Sequence, residues 1–270
     1  MIGPRSNPFL AAVVANPRDD LPRLVYADWL DENGDALRAE FIRLQCQLAQ
    51  SQRTGILPQE CVPLFDRQAT LWHDHGERWR ADWPRSPHIQ LHYDRGFPDT
   101  VILSSGTWNE LERPLARIFE MAPIARLVVH RPAIPVLEQL LILNWPRRLT
   151  MLGVLTPGVN AGALVPIGPS TLVRRLADAD LPELEELYLP QMGLDDVAAV
   201  VLSRARWLGQ LVQIDITSND IGPEGLSHLA RRFDATRLRK IAMLGNRFDH
   251  DSAVSQLHAR FPKTHFDFPD

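Results

Sequence analysis

Only two cysteines, Cys46 and Cys61, occur in 270 residues. Two thiols cannot form the disulfide framework that staples small secreted domains, and free thiols fit a reducing compartment. No apolar run approaches the roughly 20 residues that a membrane-spanning helix needs. The opening segment MIGPRSNPFLAAVVANP has one Arg and a short apolar run broken by Asn and Pro. It lacks the longer apolar core of a secretory leader, so a cytoplasmic chain with no membrane partner is the expectation. An excess of charge is missing too: 29 Lys and Arg against 33 Asp and Glu leave a net charge of −4. That balance creates no field drawing the chain to nucleic acid or anionic lipid. The short basic pairs Arg147-Arg148, Arg174-Arg175 and Arg231-Arg232 read as solvated faces. Motifs that announce chemistry are absent as well. There is no Gly-rich phosphate loop, no G-x-S-x-G elbow, no H-E-x-x-H and no paired C-x-x-C. The expectation is a chain with no catalytic residue, no cofactor and no metal.

What the sequence does contain is ordinary for a globular protein, with 45% hydrophobic and 23% charged residues, enough for a sizeable core. Its 22 prolines are spread along the chain and punctuate many short elements, without forming a linker.

Three lines superimpose at a fixed step. Leu184-x-x-Leu187-x-Leu189-x-x-Met192-x-Leu194 is followed by Leu211-x-x-Ile214-x-Ile216-x-x-Asn219-x-Ile221 and by Leu238-x-x-Ile241-x-Met243-x-x-Asn246-x-Phe248. They start 27 residues apart, from 184 to 211 and from 211 to 238. This is the leucine-rich-repeat pattern, whose period is about 20–29 residues. Two degenerate copies precede them, at Ile124-x-x-Leu127-x-Val129-x-x-Pro132-x-Ile134 and Leu149-x-x-Leu152-x-Val154-x-x-Pro157-x-Val159. Their starts are 25 apart, and the next step, from 149 to 184, is 35. The surplus falls in the Gly/Pro-rich stretch 157–170, a second candidate for ligand contact. Each copy predicts a short strand with Leu or Ile turned inward. Helical segments follow at Val197, Val200 and Val201, at Leu226 and Leu229, and at Val254 and Leu257. A helix in every 27-residue unit resembles the ribonuclease-inhibitor-like class of repeats. The alternating end, Phe261 to Phe268, reads as a closing strand. Asn219 and Asn246 stand where the chain leaves the strand, and an amide there can satisfy backbone groups of neighbouring turns. Both read as structural.

The amino-terminal part reads as helices. Asn7-Pro8 is a cap followed by a first helical residue, with Phe9, Leu10, Val13 and Val14 as an apolar face that Pro17 ends. A second helix, 20–32, carries Leu21, Val25 and Trp29, with Tyr26 and Leu30 extending the apolar face, and closes at Asn33-Gly34. A third, 36–51, carries Leu37, Phe41, Leu44 and Leu48. A fourth, 59–80, carries Val62, Phe65, Ala69 and Trp72. Residues 89–93 alternate as a strand, 94–98 turn, and 100–103 read as a second strand. This hairpin, with a helical face from Trp108 to Phe119 that Pro114 interrupts by starting or kinking the regular helix, is expected to cap the first edge of the repeat stack. The carboxylates Asp28, Asp31, Glu32 and Glu40 lack a His or Cys at ligand spacing and read as helix-surface charge. His73 and His75 stand two apart on a helix and point to different sides.

The segments LVYADWLDENGD (24–35) and AEFIRLQ (39–45) resemble the bacterial repeat-companion domain, with a match over residues 9–49 and weaker echoes at 75–79 and 93–101. That family is a short helical module ahead of repeat arrays. The resemblance implies an architecture and no established activity.

The fold expected is therefore α/β: a leucine-rich-repeat solenoid, strand plus helix per repeat, with an N-terminal small helical domain. Residues 1–85 form the helical domain, 86–123 the capping hairpin and helix, and 124–270 about five repeats. Outward strand positions would line a concave face and carry the contact residues. They are Arg126 and His130, Met151 and Leu155, Glu186 and Tyr188, Gln213, Asp215 and Thr217, and Lys240. Tyr188 is the one aromatic anchor, a residue type common in binding hot spots. A protein or peptide fits this mixed surface, and a phosphate backbone does not. The function expected is a non-catalytic interaction scaffold, with a specific inhibitor or immunity-type partner of an enzyme as the alternative.

Overall fold

The structure, a computed structural model, describes residues 7–55, 58–143, 145–155, 171–249 and 257–267. The 157–170 stretch, Val254 and Phe268 lie outside the described residues. By its internal packing the chain divides into two units, Met1–Ile102 with Asn109–Ala125, and Leu103–Trp108 with Arg126–Asp270. The hairpin and the helix that follows it thus group with the amino-terminal helices.

In the first unit, α1 (Pro8–Ala15) starts where the Asn7 side chain accepts the amides of Phe9 and Leu10, both at 3.0 Å. Helix α2 (Leu21–Glu32) ends at Asn33, and Gly34 follows with φ +85°. Then come α3 (Ala36–Thr54) and α4 (Val62–Arg80), the latter entered through a 3₁₀ turn at Pro58–Cys61. Strands β1 (Ile89–Asp94) and β2 (Phe97–Leu103) are adjacent, and α5 (Trp108–Met121) runs past Pro114 without ending. The two-residue link Arg95-Gly96 has φ of +47° and +86°. That pair is the signature of a type I′ hairpin turn. Position 96 needs glycine twice over: its φ is left-handed, and a Cβ there would overlap the Ile42 side chain and reach 3.0 Å from its Cα.

The helix boundaries follow the sequence expectation, and so do the buried Leu10, Val13, Val14, Leu30, Phe41 and Leu48, but other expected face residues do not go inside. Leu21 is 64% exposed and Val25 39%, while Arg23 and Ala27 of α2 are buried together with the expected Leu30. In α3, Leu37 is exposed beside a buried Arg38. In α4, Val62, Phe65 and Ala69 are exposed, and Leu71, Gly76 and Trp79 go inside. Counting arginine as polar sets the phase of these helices wrongly. A buried guanidinium is tolerated where its donors are used, and Arg23 gives Nη1 to the Asp19 carbonyl at 2.7 Å and Nη2 to the Pro17 carbonyl at 2.9 Å. Arg95 joins the same loop, bonding the Pro17 carbonyl at 2.9 Å and Asp20 at 2.9 Å. Leu10, Val13, Ala27, Leu30, Ala39, Ile42, Cys46 and Phe97 form one cluster, and Phe41, Leu71 and Trp79 another.

The second unit alternates strand and helix: β3 (Arg126–His130), α6 (Ile134–Ile142), β4 (Met151–Leu155), α7 (Thr171–Asp178), β5 (Glu186–Tyr188), α8 (Asp196–Leu202), β6 (Gln213–Asp215), α9 (Pro223–Ala230), β7 (Lys240–Ala242) and β8 (His265–Asp267). Strands β3 to β8 run parallel in chain order. Arg126 aligns with Met151, then Glu186, Gln213, Lys240 and His265. The steps between these partners, 25, 35, 27, 27 and 25 residues, equal those read from the repeats and add the closing strand. Helices α6 to α9 pack in the same sequential order. The inward residues Leu127, Leu152, Leu187, Ile214, Ile241 and Phe266 are at most 2% exposed. Each such side chain is worth roughly 1.5–3 kcal/mol when fully buried.

Side chains staple one turn to the next. Asn219 is buried; its Oδ1 accepts the amides of Met192 at 2.9 Å and Leu194 at 3.0 Å, and its Nδ2 donates to the carbonyls of Leu189 and Ile216, both at 2.9 Å. Asn246 accepts from the Ile221 amide at 3.1 Å and donates to Ile216 at 2.9 Å and Met243 at 2.7 Å. Asp196 of α8 caps the next helix: its Oδ1 accepts the amides of Gly222 and Gly225, both at 2.8 Å. A Cβ on Gly225 would lie 2.5 Å from that oxygen and 2.9 Å from the Ala199 methyl. The Gly and Ala residues therefore exist for close approach of α8 and α9. For the same reason α8 buries Ala198, Ala199 and Leu202, while Val197, expected inside, is 59% exposed.

Candidate functional site: the outward face of the parallel sheet

Because side chains alternate along a strand and the strands stand about 4.7–4.9 Å apart, the register creates rows. One row holds Arg126, Met151, Glu186, Gln213 and Lys240; the next holds Val128, Gly153, Tyr188, Asp215 and Ala242. His130 and Leu155 begin a third, and Thr217 lies two residues beyond Asp215. The first row alternates in sign, Arg126 then Glu186 then Lys240, with uncharged Met151 and Gln213 between.

Burial divides this face. Arg126 is exposed, and His130, Leu155, Glu186, Tyr188, Gln213, Asp215, Thr217 and Lys240 are half-buried. Met151 is only 8% exposed, and Gly153 and Ala242 are buried. Met151, expected among the contact residues, thus offers little surface; a flexible apolar thioether withdraws from water where neighbours give cover. The polar part of the face runs along β5, β6 and β7.

Two local bonds fix its central groups. The Tyr188 hydroxyl donates to Glu186 Oε2 at 2.7 Å, two residues back on the same strand. Partial burial and then this bond to Glu186 push the Tyr188 phenol well above its ordinary value, so it stays a neutral donor. The ring passes close to Gly153 of the adjacent strand, where an added Cβ would sit 3.6 Å from Tyr188 Cβ and 3.9 Å from Cδ2. One Asp215 oxygen accepts the Thr217 amide at 2.9 Å, an Asx-type turn that orients the carboxylate. Beyond the strands, Arg131 Nη2 bonds the Gln191 carbonyl, linking the turn after β3 to the turn after β5. Neither this link nor the Asp196 cap is visible in the repeat template. A Gly-x-x-Gly at 222–225 following a helix with adjacent alanines is the one signal that could have pointed to the cap.

The other groups singled out by sequence lie in the first unit. Arg43 pairs with both Asp28 and Asp31, each at 2.6 Å. Arg67 binds Glu40 through two bonds of 2.7 Å and holds its carboxyl below the ordinary range. His73 is exposed, and the His75 ring lies 5.8 Å from that of Trp79. Among the described residues no helix is long and apolar enough to cross a membrane.

No protein-family model matches the chain. No curated protein matches it either. Among solved structures, similarity is found to leiomodin-1 actin-binding site 2, at 13% identity and a TM-score of 0.35, covering 51% of this chain and 80% of that one. An internalin of Listeria monocytogenes is similar at 15% identity and a TM-score of 0.35, over 63% of this chain and 48% of the internalin. Likeness at this level carries no argument about function, which has to be made from the chain's own geometry.

Proposed function

We propose that this chain is a non-catalytic interaction scaffold, in which residues 124–270 form a leucine-rich-repeat solenoid that receives a protein or peptide on the outward face of its sheet. One observation carries the reading. The inward row of β3 to β8 is sealed from water, whereas the outward positions of β5 to β7 hold half-exposed Glu186, Tyr188, Gln213, Asp215 and Lys240 in register. Burying one face of a parallel sheet meets the needs of folding; a laterally ordered row of donors, acceptors and one aromatic ring on the other meets those of recognition. Tyr188 brings a large rigid surface with its hydroxyl already oriented, the property that favours tyrosine in interfaces. The scaffold works in the cytoplasm and needs no cofactor or metal.

The test is affinity purification of the full chain from its native cell, compared with Tyr188→Ala and Asp215→Arg variants by quantitative mass spectrometry. A partner lost from both variants, with thermal midpoints unchanged, supports the reading. Retention of every partner by both variants contradicts it.

A further inference from the structure

Beside its charged row, the outward face of the sheet carries an apolar one. The ladder continues past the strand ends: the Gln191 amide donates to the Thr217 carbonyl at 2.9 Å, and the Ser218 amide donates to the Leu244 carbonyl. Pro190, Thr217 and Leu244 therefore stay in register. Leu155 joins them, two residues past Gly153 as Pro190 is two past Tyr188. All four are half-buried. Leu189, Ile216 and Met243, which precede the last three, are at most 1% exposed and face the core. Three apolar side chains and one threonine methyl group thus stand outward, one per strand, partly in water. The opposite row carries charge, and at its middle that charge is negative. Glu186 and Asp215 lie on neighbouring strands beside Tyr188. Their side chains accept from the Tyr188 hydroxyl and the Thr217 amide, and among the described residues neither pairs with an arginine or lysine.

An occupant of this face must offer an apolar stripe next to positive charge, and its backbone must need nothing from the sheet. Ladder bonds lie in the plane of a sheet and are spent on neighbouring strands. An extended segment laid across the face would leave its own amides and carbonyls unpaired over the apolar row, whereas an α-helix pairs them internally. Spacing favours the helix as well. Leu155 and Leu244 stand three strands apart, a span of about 14 Å. Three helical turns rise about 16 Å, while three same-face steps of an extended chain cover about 20 Å. A helix therefore presents one apolar residue to each strand, and an extended chain falls out of step. We infer that the partner lays an amphipathic α-helix across β4 to β7, with its apolar stripe on Leu155, Pro190 and Leu244 and a lysine or arginine at Glu186 and Asp215. The inference rests on the outward face being a contact surface, and adds the form and charge of what is bound there.

The probe is a phage-displayed library of random peptides of about 16 residues, four helical turns, selected against the full chain. Enriched sequences are expected to carry apolar residues at i, i+4, i+7 and i+11 with a lysine or arginine alongside. The most enriched sequence, made synthetically, should bind in fluorescence anisotropy. A central proline, which breaks a helix, should weaken it at least about tenfold. These arms use the unmodified protein. Leu244→Glu should weaken binding by a similar factor at an unchanged thermal midpoint. Glu in place of the peptide's cation should weaken binding to the parent chain, and Glu186→Lys should restore it. Enriched peptides that lack the helical period or tolerate the proline overturn the inference; if they still lose affinity for Leu244→Glu, the contact face itself stands. Peptides indifferent to Leu244→Glu overturn it too, as does an absence of enrichment. The contact face fails separately, if native partners are kept by both Tyr188→Ala and Asp215→Arg.

Discussion

In the carboxy-terminal unit, a bond made once is made again one turn later. Asn219 and Asn246 each tie their own turn to the one before it, and Thr264 repeats the device with a 2.9 Å bond to the Leu238 carbonyl. Trp207 and Gln210 likewise reach back to the carbonyls of Leu176 and Leu181, at 3.1 and 2.7 Å. In the amino-terminal unit each contact is made once. Arg23 and Arg95 converge on a single loop at Pro17, and Arg38 and Gln45 hold the carbonyl and the amide of Gly96. One unit is stabilised by equivalent staples between neighbouring turns, the other by two apolar clusters and buried cations whose contacts do not recur at a fixed step. Losses should therefore be local in the repeats and global in the helices.

That contrast can be broken by four substitutions, taken from the largest effect down. Gly96→Ala should cost about 2–5 kcal/mol, combining a left-handed φ with an overlap on Ile42. Denaturant unfolding of the full chain should show the first unit lost while the second keeps its transition. Asn219→Ala should cost about 2–4 kcal/mol, because the amides of Met192 and Leu194 are left buried without an acceptor. Hydrogen exchange should rise around 189–194 and 216–221 and stay unchanged in α1 to α3. Asn246→Ala should cost less, since Asn246 is only half-buried. Asp196→Ala should cost about 1–2 kcal/mol by uncapping α9, with faster exchange at Gly222 and Gly225.

The smallest effect concerns pH. Burial raises the Asp20 carboxyl, but its bonds to Arg53 and Arg95 outweigh that and hold it below the ordinary value of 3.8. A depressed folded value means that stability is present above the unfolded value and is lost as pH falls through the folded one. The thermal midpoint of Asp20→Asn should therefore lie slightly below that of the parent at pH 7, a difference of about 1 kcal/mol or less because the partner Arg53 is half exposed and screened by solvent. The gap should close below pH 3. A gap that persists there would assign the role of Asp20 to shape, not charge.

The same contrast sets what could be read without coordinates. Steps of 25, 35, 27 and 27 residues survive into the strand register because each repeat must align its leucines with the last. Helix ends in the first unit were legible from Asn7-Pro8 and Asn33-Gly34. Its faces were legible only in part: Leu10, Val13, Val14, Leu30, Phe41 and Leu48 go inside as expected, but Arg23 and Arg38 are interior and a hydrophobicity count puts them outside. The α8 face failed for a related reason: close packing on Gly225 selects Ala198 and Ala199 over the larger Val197. The alternation rule gave the outward rows of the sheet by residue, but not their burial, which takes Met151 and Ala242 out of water.

If the outward side chains of β5 to β7 and the neighbouring Leu155 are a contact surface, a bound partner must shield them from solvent. Hydroxyl-radical footprinting of the chain with and without its captured partner tests this most directly. Tyr188 and Leu155 should lose labelling in the complex, while Val197 on α8 and Leu21 on α2 keep theirs. Unchanged labelling of Tyr188, with protection at Val197 or Leu21, would contradict it.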